Sequence, residues 1–84
     1  MKQPTYKEII NKLEKILMQE STREEITDWA MRFINDDDIE ITDFGAWELL
    51  KTAGGVDVIK HPEEYLYSYD DIRKWITDAS LKQS

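Results

Sequence analysis

Apolar residues recur with the period of an α-helix in four separate stretches of this chain, and each stretch is preceded by a capping signal. Tyr6, Ile9, Ile10, Leu13, Ile16 and Leu17 line one helical face. Thr5 and Glu8 have capping-box spacing with Pro4 just outside, so a helix is expected from about Tyr6 to Met18. Ser21 with Glu24, or Thr22 with Glu25, opens a second stripe: Ile26, Trp29, Ala30 and Phe33, with Ile34 at its edge. This helix should end near Asn35, because acids at a helix C-terminus oppose the macrodipole and the next residues are Asp36, Asp37 and Asp38. A third stripe, Ala46, Leu49, Leu50 and Ala53, opens at Thr42 or Asp43 and is flanked by Phe44 and Trp47. Its stop is Gly54–Gly55, where glycine reaches the left-handed conformation without a Cβ penalty. Ser68 with Asp71 caps the fourth stripe, Ile72, Trp75, Ile76 and Ala79, expected from about Tyr69 to Ala79.

The third connection runs to about a dozen residues, a length often tied to function. Val56-Asp57-Val58-Ile59 has the composition of a strand, but a strand without a partner is not a sheet. The segment therefore reads as a loop that plugs the core, followed by a short helical turn, Pro62-Glu63-Glu64-Tyr65. The expected fold class is all-α: a small four-helix domain without a sheet, with a long, partly irregular connection between helices 3 and 4. The 84 residues fit one domain, 1–84, with 1–4 and 81–84 frayed.

Charge narrows the function classes. The chain has 11 basic and 18 acidic residues, one His, no Cys and a net charge of −7. Without Cys there are no disulfides, thiolate metal sites or thiol nucleophiles. No apolar run reaches membrane-spanning length, and residues 1–20 lack a signal-peptide core, so a cytoplasmic location is expected. The acid excess is localised. Residues 1–32 hold six acids and six bases, 33–72 hold eleven acids against Lys51 and Lys60, and 73–84 carry +2. Like charges at close range oppose compaction, so the −9 segment suggests a purpose other than stability. Two clusters stand out in it. One is Asp36, Asp37, Asp38, Glu40 and Asp43. The other is Glu63, Glu64, Asp70 and Asp71, interleaved with Tyr65, Tyr67 and Tyr69. Tyrosine offers large rigid contact area and carboxylates meet Arg or Lys, so both clusters are candidate partner-binding residues.

No catalytic or cofactor pattern accompanies them. Read as a calcium loop from Asp36, position 6 is Ile41 and position 12 is Trp47, where the EF-hand needs Gly and Glu. His61 lacks a nucleophile and orienting acid at recognisable spacing, and Gly54–Gly55 matches no phosphate-binding pattern. The expectation is a non-enzymatic protein with no cofactor and no metal. Helices 2 and 3 could pair as a helix-turn-helix, but Phe33 to Leu50 contains no base to meet phosphate.

In length, charge, four short helices and an acidic, tyrosine-bearing segment, the chain resembles the small bacterial toxin-immunity proteins, including the nuclease-colicin immunity family. That resemblance implies an acidic inhibitor, or antitoxin, that shields a basic toxin domain, with Tyr65 and Tyr67 as anchors. The family carries Tyr-Tyr-Pro beside a short helix, whereas here Pro62 precedes Tyr65-Leu66-Tyr67. With Glu64-Tyr65-Leu66 ahead of Asp71-Ile72, the chain also resembles small uncharacterised proteins of spore-forming bacteria. The function expected is neutralisation of a basic protein partner, with no membrane partner and with nucleic acid an unlikely one. The alternative is a small regulatory module that binds DNA, or mimics its charge to a DNA-binding protein.

Overall fold

Each helix begins where a side-chain oxygen takes up an otherwise unpaired amide. A computed structural model describes residues 2–62 and 64–83: α1 (Tyr6–Leu17), α2 (Arg23–Ile34), α3 (Phe44–Ala53), β1 (Ile59–His61), β2 (Glu64–Tyr65) and α4 (Tyr69–Gln83). The Glu8 amide donates to Thr5 Oγ1 at 3.2 Å, and the Glu25 amide to Thr22 Oγ1 at 3.1 Å; both glutamates reach back to complete a capping box. The Ala46 amide donates to Asp43 Oδ1 at 3.2 Å, and Ser68 and Asp71 exchange reciprocal bonds at 2.9 and 3.2 Å.

The apolar stripes meet in one core. Ile9, Leu13 and Ile16 of α1 contact Ile26 and Ala30 of α2, Ala46, Leu50 and Ala53 of α3, Ile72 of α4, and Val56 from the third connection. Val56 is fully buried, so the connection does plug the core. α1 packs most extensively on α4 and next on α3. Tyr6 lies against Gly45, where an added Cβ would overlap its hydroxyl.

The structure departs from the sequence reading in several places. The domain is not free of sheet: β1 and β2 pair antiparallel, Ile59 opposite Tyr65 and His61 opposite Glu64, with an irregularity between Ile59 and His61. The Leu66 amide continues the pairing to Val58 O at 2.8 Å. The partner missing for Val58–Ile59 was thus the segment read as a helical turn, and Pro62 sits between the strands. Gly54 ends α3 without a left-handed backbone (φ −68°); a Cβ there would sit 2.8 Å from Ile34 Cδ1, so what a side chain would meet is the tip of Ile34 and not backbone strain. The left-handed residue is Gln19, φ 60°, in the α1–α2 turn. Residues 2–4, expected to fray, are tied down: Lys2 bridges Glu40, Pro4 is buried, and Gln3 Oε1 accepts from the Thr42 and Asp43 amides at 2.7 and 2.9 Å. α4 continues past Ala79 to Gln83. Among the described residues no helix is long and apolar enough to cross a membrane.

Candidate functional site

A two-stranded hairpin is marginal alone, so something must hold β1 and β2. That something is Arg23, at the first position of α2 and only 8% exposed. Its Nη1 donates to Tyr67 O at 2.7 Å and to Val56 O at 3.3 Å. Its guanidinium carbon lies 4.4 Å from the Tyr65 ring centroid and 5.3 Å from that of Tyr69. The Tyr65 hydroxyl donates to Glu24 Oε1 at 2.5 Å. This bond holds the Glu24 carboxyl below its ordinary range, with help from a backbone hydrogen bond and the Arg23 charge, and pushes the Tyr65 hydroxyl above its own. Hydrogen bonds from Thr22 likewise lower Glu25.

Tyr65 ends β2, Leu66 and Tyr67 form a bend and Tyr69 opens α4, so the three tyrosines do not all face the same way. Tyr65 and Tyr69 share one side and cover Arg23; Tyr67 takes the other, packing edge-on against Trp75 at 4.9 Å. All three therefore have internal partners. A cation in the first turn of a helix opposes the macrodipole, so Arg23 at that position was the signal that sequence reasoning passed over.

The two acidic clusters are not brought together. Tyr65 contacts the first turn of α2, while Asp36–Asp38 follow its last turn, about 18 Å away along a 12-residue helix. Several of these acids are occupied locally. Asp36 accepts from the Asp38 amide at 2.9 Å, Asp43 caps α3, Asp71 caps α4, and Asp70 pairs with Arg73 at 2.9 Å. Glu40 is exposed beside Lys2, Glu64 is exposed on β2, and Asp37 and Asp38 are exposed. Glu63 lies outside the described residues. Among the described residues no group of three or more His, Asp or Glu could hold a metal ion.

The bases show a different distribution. Tyr6 shares a groove with Ala79 and Lys82, and Ile16 shares another with Tyr69, so α1 and α4 run antiparallel. α1 carries three bases and two acids, α4 three of each; together they hold +1 and the rest of the chain −8. Helical periodicity turns Lys7, Lys15 and Lys74 away from the buried residues of their helices. Among the described residues only Lys51 and Arg73 sit in ion pairs. Lys12 lies over the Trp29 ring at 5.4 Å, leaving Lys7, Lys15, Lys74 and Lys82 as the bases of α1 and α4 outside ion pairs and ring contacts among the described residues, with Asp70 and Asp78 four residues to either side of Lys74. Lys7 with Lys82 marks one end of the pair, Lys15 with Lys74 the region toward the other, about 12 Å along.

Comparison with known proteins gives the family. Residues 3–79 match the sequence model of a family described as YxzC DNA-binding protein. The uncharacterised protein YxzC of Bacillus subtilis (strain 168) is 41% identical over 69 residues, covering 82% of this chain and 57% of that protein. The chain thus spans little more than half the length of this relative. No solved structure matches. These findings overturn the reading as a bacterial immunity protein, toxin inhibitor or antitoxin with a basic toxin partner. They also overturn the placing of nucleic acid among unlikely partners. Net charge sums over the whole surface and does not show that, among the described residues, four of the seven bases left outside ion pairs and ring contacts, Lys7, Lys15, Lys74 and Lys82, lie on α1 and α4, with Lys2, Arg32 and Lys60 elsewhere.

Proposed function

The chain belongs to the YxzC family, and from that premise we propose that it is a small, non-enzymatic, cytoplasmic regulatory module that binds DNA. The contact is made by lysines of α1 and α4 on phosphates, past the acids Glu14, Asp70 and Asp78 that stand among them. The observation that carries this reading is the gathering of unpaired Lys7, Lys15, Lys74 and Lys82 on one antiparallel helix pair. Their span of about 12 Å matches three to four phosphate steps along one strand. α3 is a poorer candidate: its solvent side carries the 74% exposed Phe44, Glu48, and Lys51 already paired to Glu48 at 2.9 Å.

Four phosphate contacts predict a salt slope no steeper than about −3.6, made shallower by the net charge of −7. Fluorescence anisotropy of a labelled duplex between about 50 and 200 mM salt measures it. Lys7→Glu with Lys74→Glu should abolish binding, while Lys51→Glu with Lys60→Glu should leave it within about twofold. Absence of duplex binding at low salt, or equal losses from the two pairs, would refute the proposal.

A further inference from the structure

Where α1, α3 and α4 meet, the helices leave an open groove of about 170 Å³, walled by Tyr6, Leu49, Trp75 and Ala79 and rimmed by Asp78 and Lys82. A cavity of about 150 Å³ holds one benzene ring. The groove is therefore sized for one aromatic ring system, with any sugar and phosphate left outside. Its wall offers an indole, the side chain on which bases stack best. Its rim offers polar groups that are not already spent. Glu48 on the same rim is neutralised by Lys51 at 2.9 Å, and the Thr52 hydroxyl donates to Glu48 O at 3.1 Å. Asp78 has no ion-pair partner among the described residues. It stands four residues before Lys82 on α4, so a carboxylate acceptor and an ammonium donor lie side by side, about 5–6 Å apart at their Cβ atoms.

That pair selects a ring edge. A carboxylate takes two N–H donors at once, and an ammonium beside it takes a carbonyl oxygen. Guanine presents this series on its pairing edge: the N2 amine, N1–H and O6. Cytosine and adenine offer the carboxylate a single exocyclic amine, and thymine sets a carbonyl on each side of its only N–H. We infer that this groove is a receptor for an unpaired guanine base, held between Trp75, Asp78 and Lys82. One source of the base is single-stranded DNA; this source rests on the DNA-binding reading. A free guanine nucleotide presents the same ring.

The test uses a fluorescein-labelled short oligothymidine with one central guanine, its inosine counterpart, the all-thymidine strand, and unlabelled GMP. Inosine lacks only the N2 amine. The guanine strand should bind about tenfold more tightly than the all-thymidine strand, and inosine should lose most of that advantage. Asp78→Asn should erase the preference while binding the all-thymidine strand no more weakly than the wild type, since it removes a negative charge beside Lys82. Asp78 is exposed, so this variant keeps its core. GMP that quenches tryptophan fluorescence in the wild type but not in Asp78→Asn identifies the free nucleotide as a source; a preference seen only in oligonucleotides identifies single-stranded DNA. Equal affinity for the three strands together with no GMP response, or a preference that survives Asp78→Asn, would overturn the inference. If duplex binding through Lys7 and Lys74 persists in that case, the DNA-binding reading stands without it. If GMP binds but no DNA does, the groove stands and the DNA-binding reading falls.

Discussion

Replacing Arg23 by Met isolates the hub that holds the hairpin. Methionine keeps most of the apolar stem in place and removes the guanidinium. The lost bond to Tyr67 O, 2.7 Å long and made by a charged donor, contributes about 1.5–3 kcal/mol; the 3.3 Å bond to Val56 O adds less. Contacts with Tyr65 and Tyr69, both partly exposed, add about 0.5–1 kcal/mol each. Relief of the buried charge offsets part of this. The net expectation is a loss of about 2–4 kcal/mol, a large share of the roughly 4–12 kcal/mol that 84 residues sustain. Urea unfolding gives the total. Hydrogen exchange at the Leu66 amide, which donates to Val58 O, reports the hairpin separately and should accelerate beyond the global effect. Arg23→Lys should recover less than half, because one ammonium cannot bridge two carbonyls and stack on a ring at once. A loss under about 1 kcal/mol in Arg23→Met, or full rescue by lysine, would refute the hub.

Two further outcomes are expected. Gly45→Ala, normally worth a few tenths to 1 kcal/mol of stabilisation in a helix, should instead destabilise by about 1–3 kcal/mol because its Cβ meets the Tyr6 hydroxyl. In a Tyr6→Phe background that penalty should shrink; a thermal-melt double-mutant cycle with no coupling would contradict the contact. The Tyr65–Glu24 bond should also shape stability against pH. Glu24 is depressed below 4.5, so its contribution is full above that value and fades as pH falls through the folded pKa. Tyr65 is raised above 10.0, so its contribution is full below that value and fades as pH rises through the folded pKa. Urea midpoints of the wild type and Tyr65→Phe should differ on the plateau and converge at both extremes; parallel curves would exclude the linkage.

What was legible in the sequence was local. Capping boxes at Thr5–Glu8 and Thr22–Glu25, the caps at Asp43 and Ser68, and the four stripes all depend on residues three or four apart, so periodicity exposed them. The hairpin depends on Arg23, which lies 44 residues from its Tyr67 acceptor, and both strands are exposed, so no apolar alternation marks them. The tyrosines stood out in the sequence as candidate partner contacts; their neighbours within the chain, Arg23 for Tyr65 and Tyr69 and Trp75 for Tyr67, lie far away in sequence or across a bend, where composition does not reach. The lysines of α1 and α4 were visible, but their convergence is a product of tertiary packing. With net charge −7 the acids dominated any reading by sum.

The pairing of α1 with α4 also governs how this domain is made. These helices share the most extensive packing of any two elements, yet roughly fifty residues separate Leu17 from Tyr69. Closing a loop of that length costs about 3.5 kcal/mol plus a constant, before any contact repays it. α1 therefore cannot complete the burial of Ile9 and Leu13 by local zippering alone; the last partner in the core, Ile72, arrives with α4. Before α4 docks, α1 can pack on α2 and α3 through Ile26, Ala30, Ala46 and Leu50, but the part of its face that meets Ile72 stays uncovered. Long-range closure of this kind places the domain among the slower helical folders for its size.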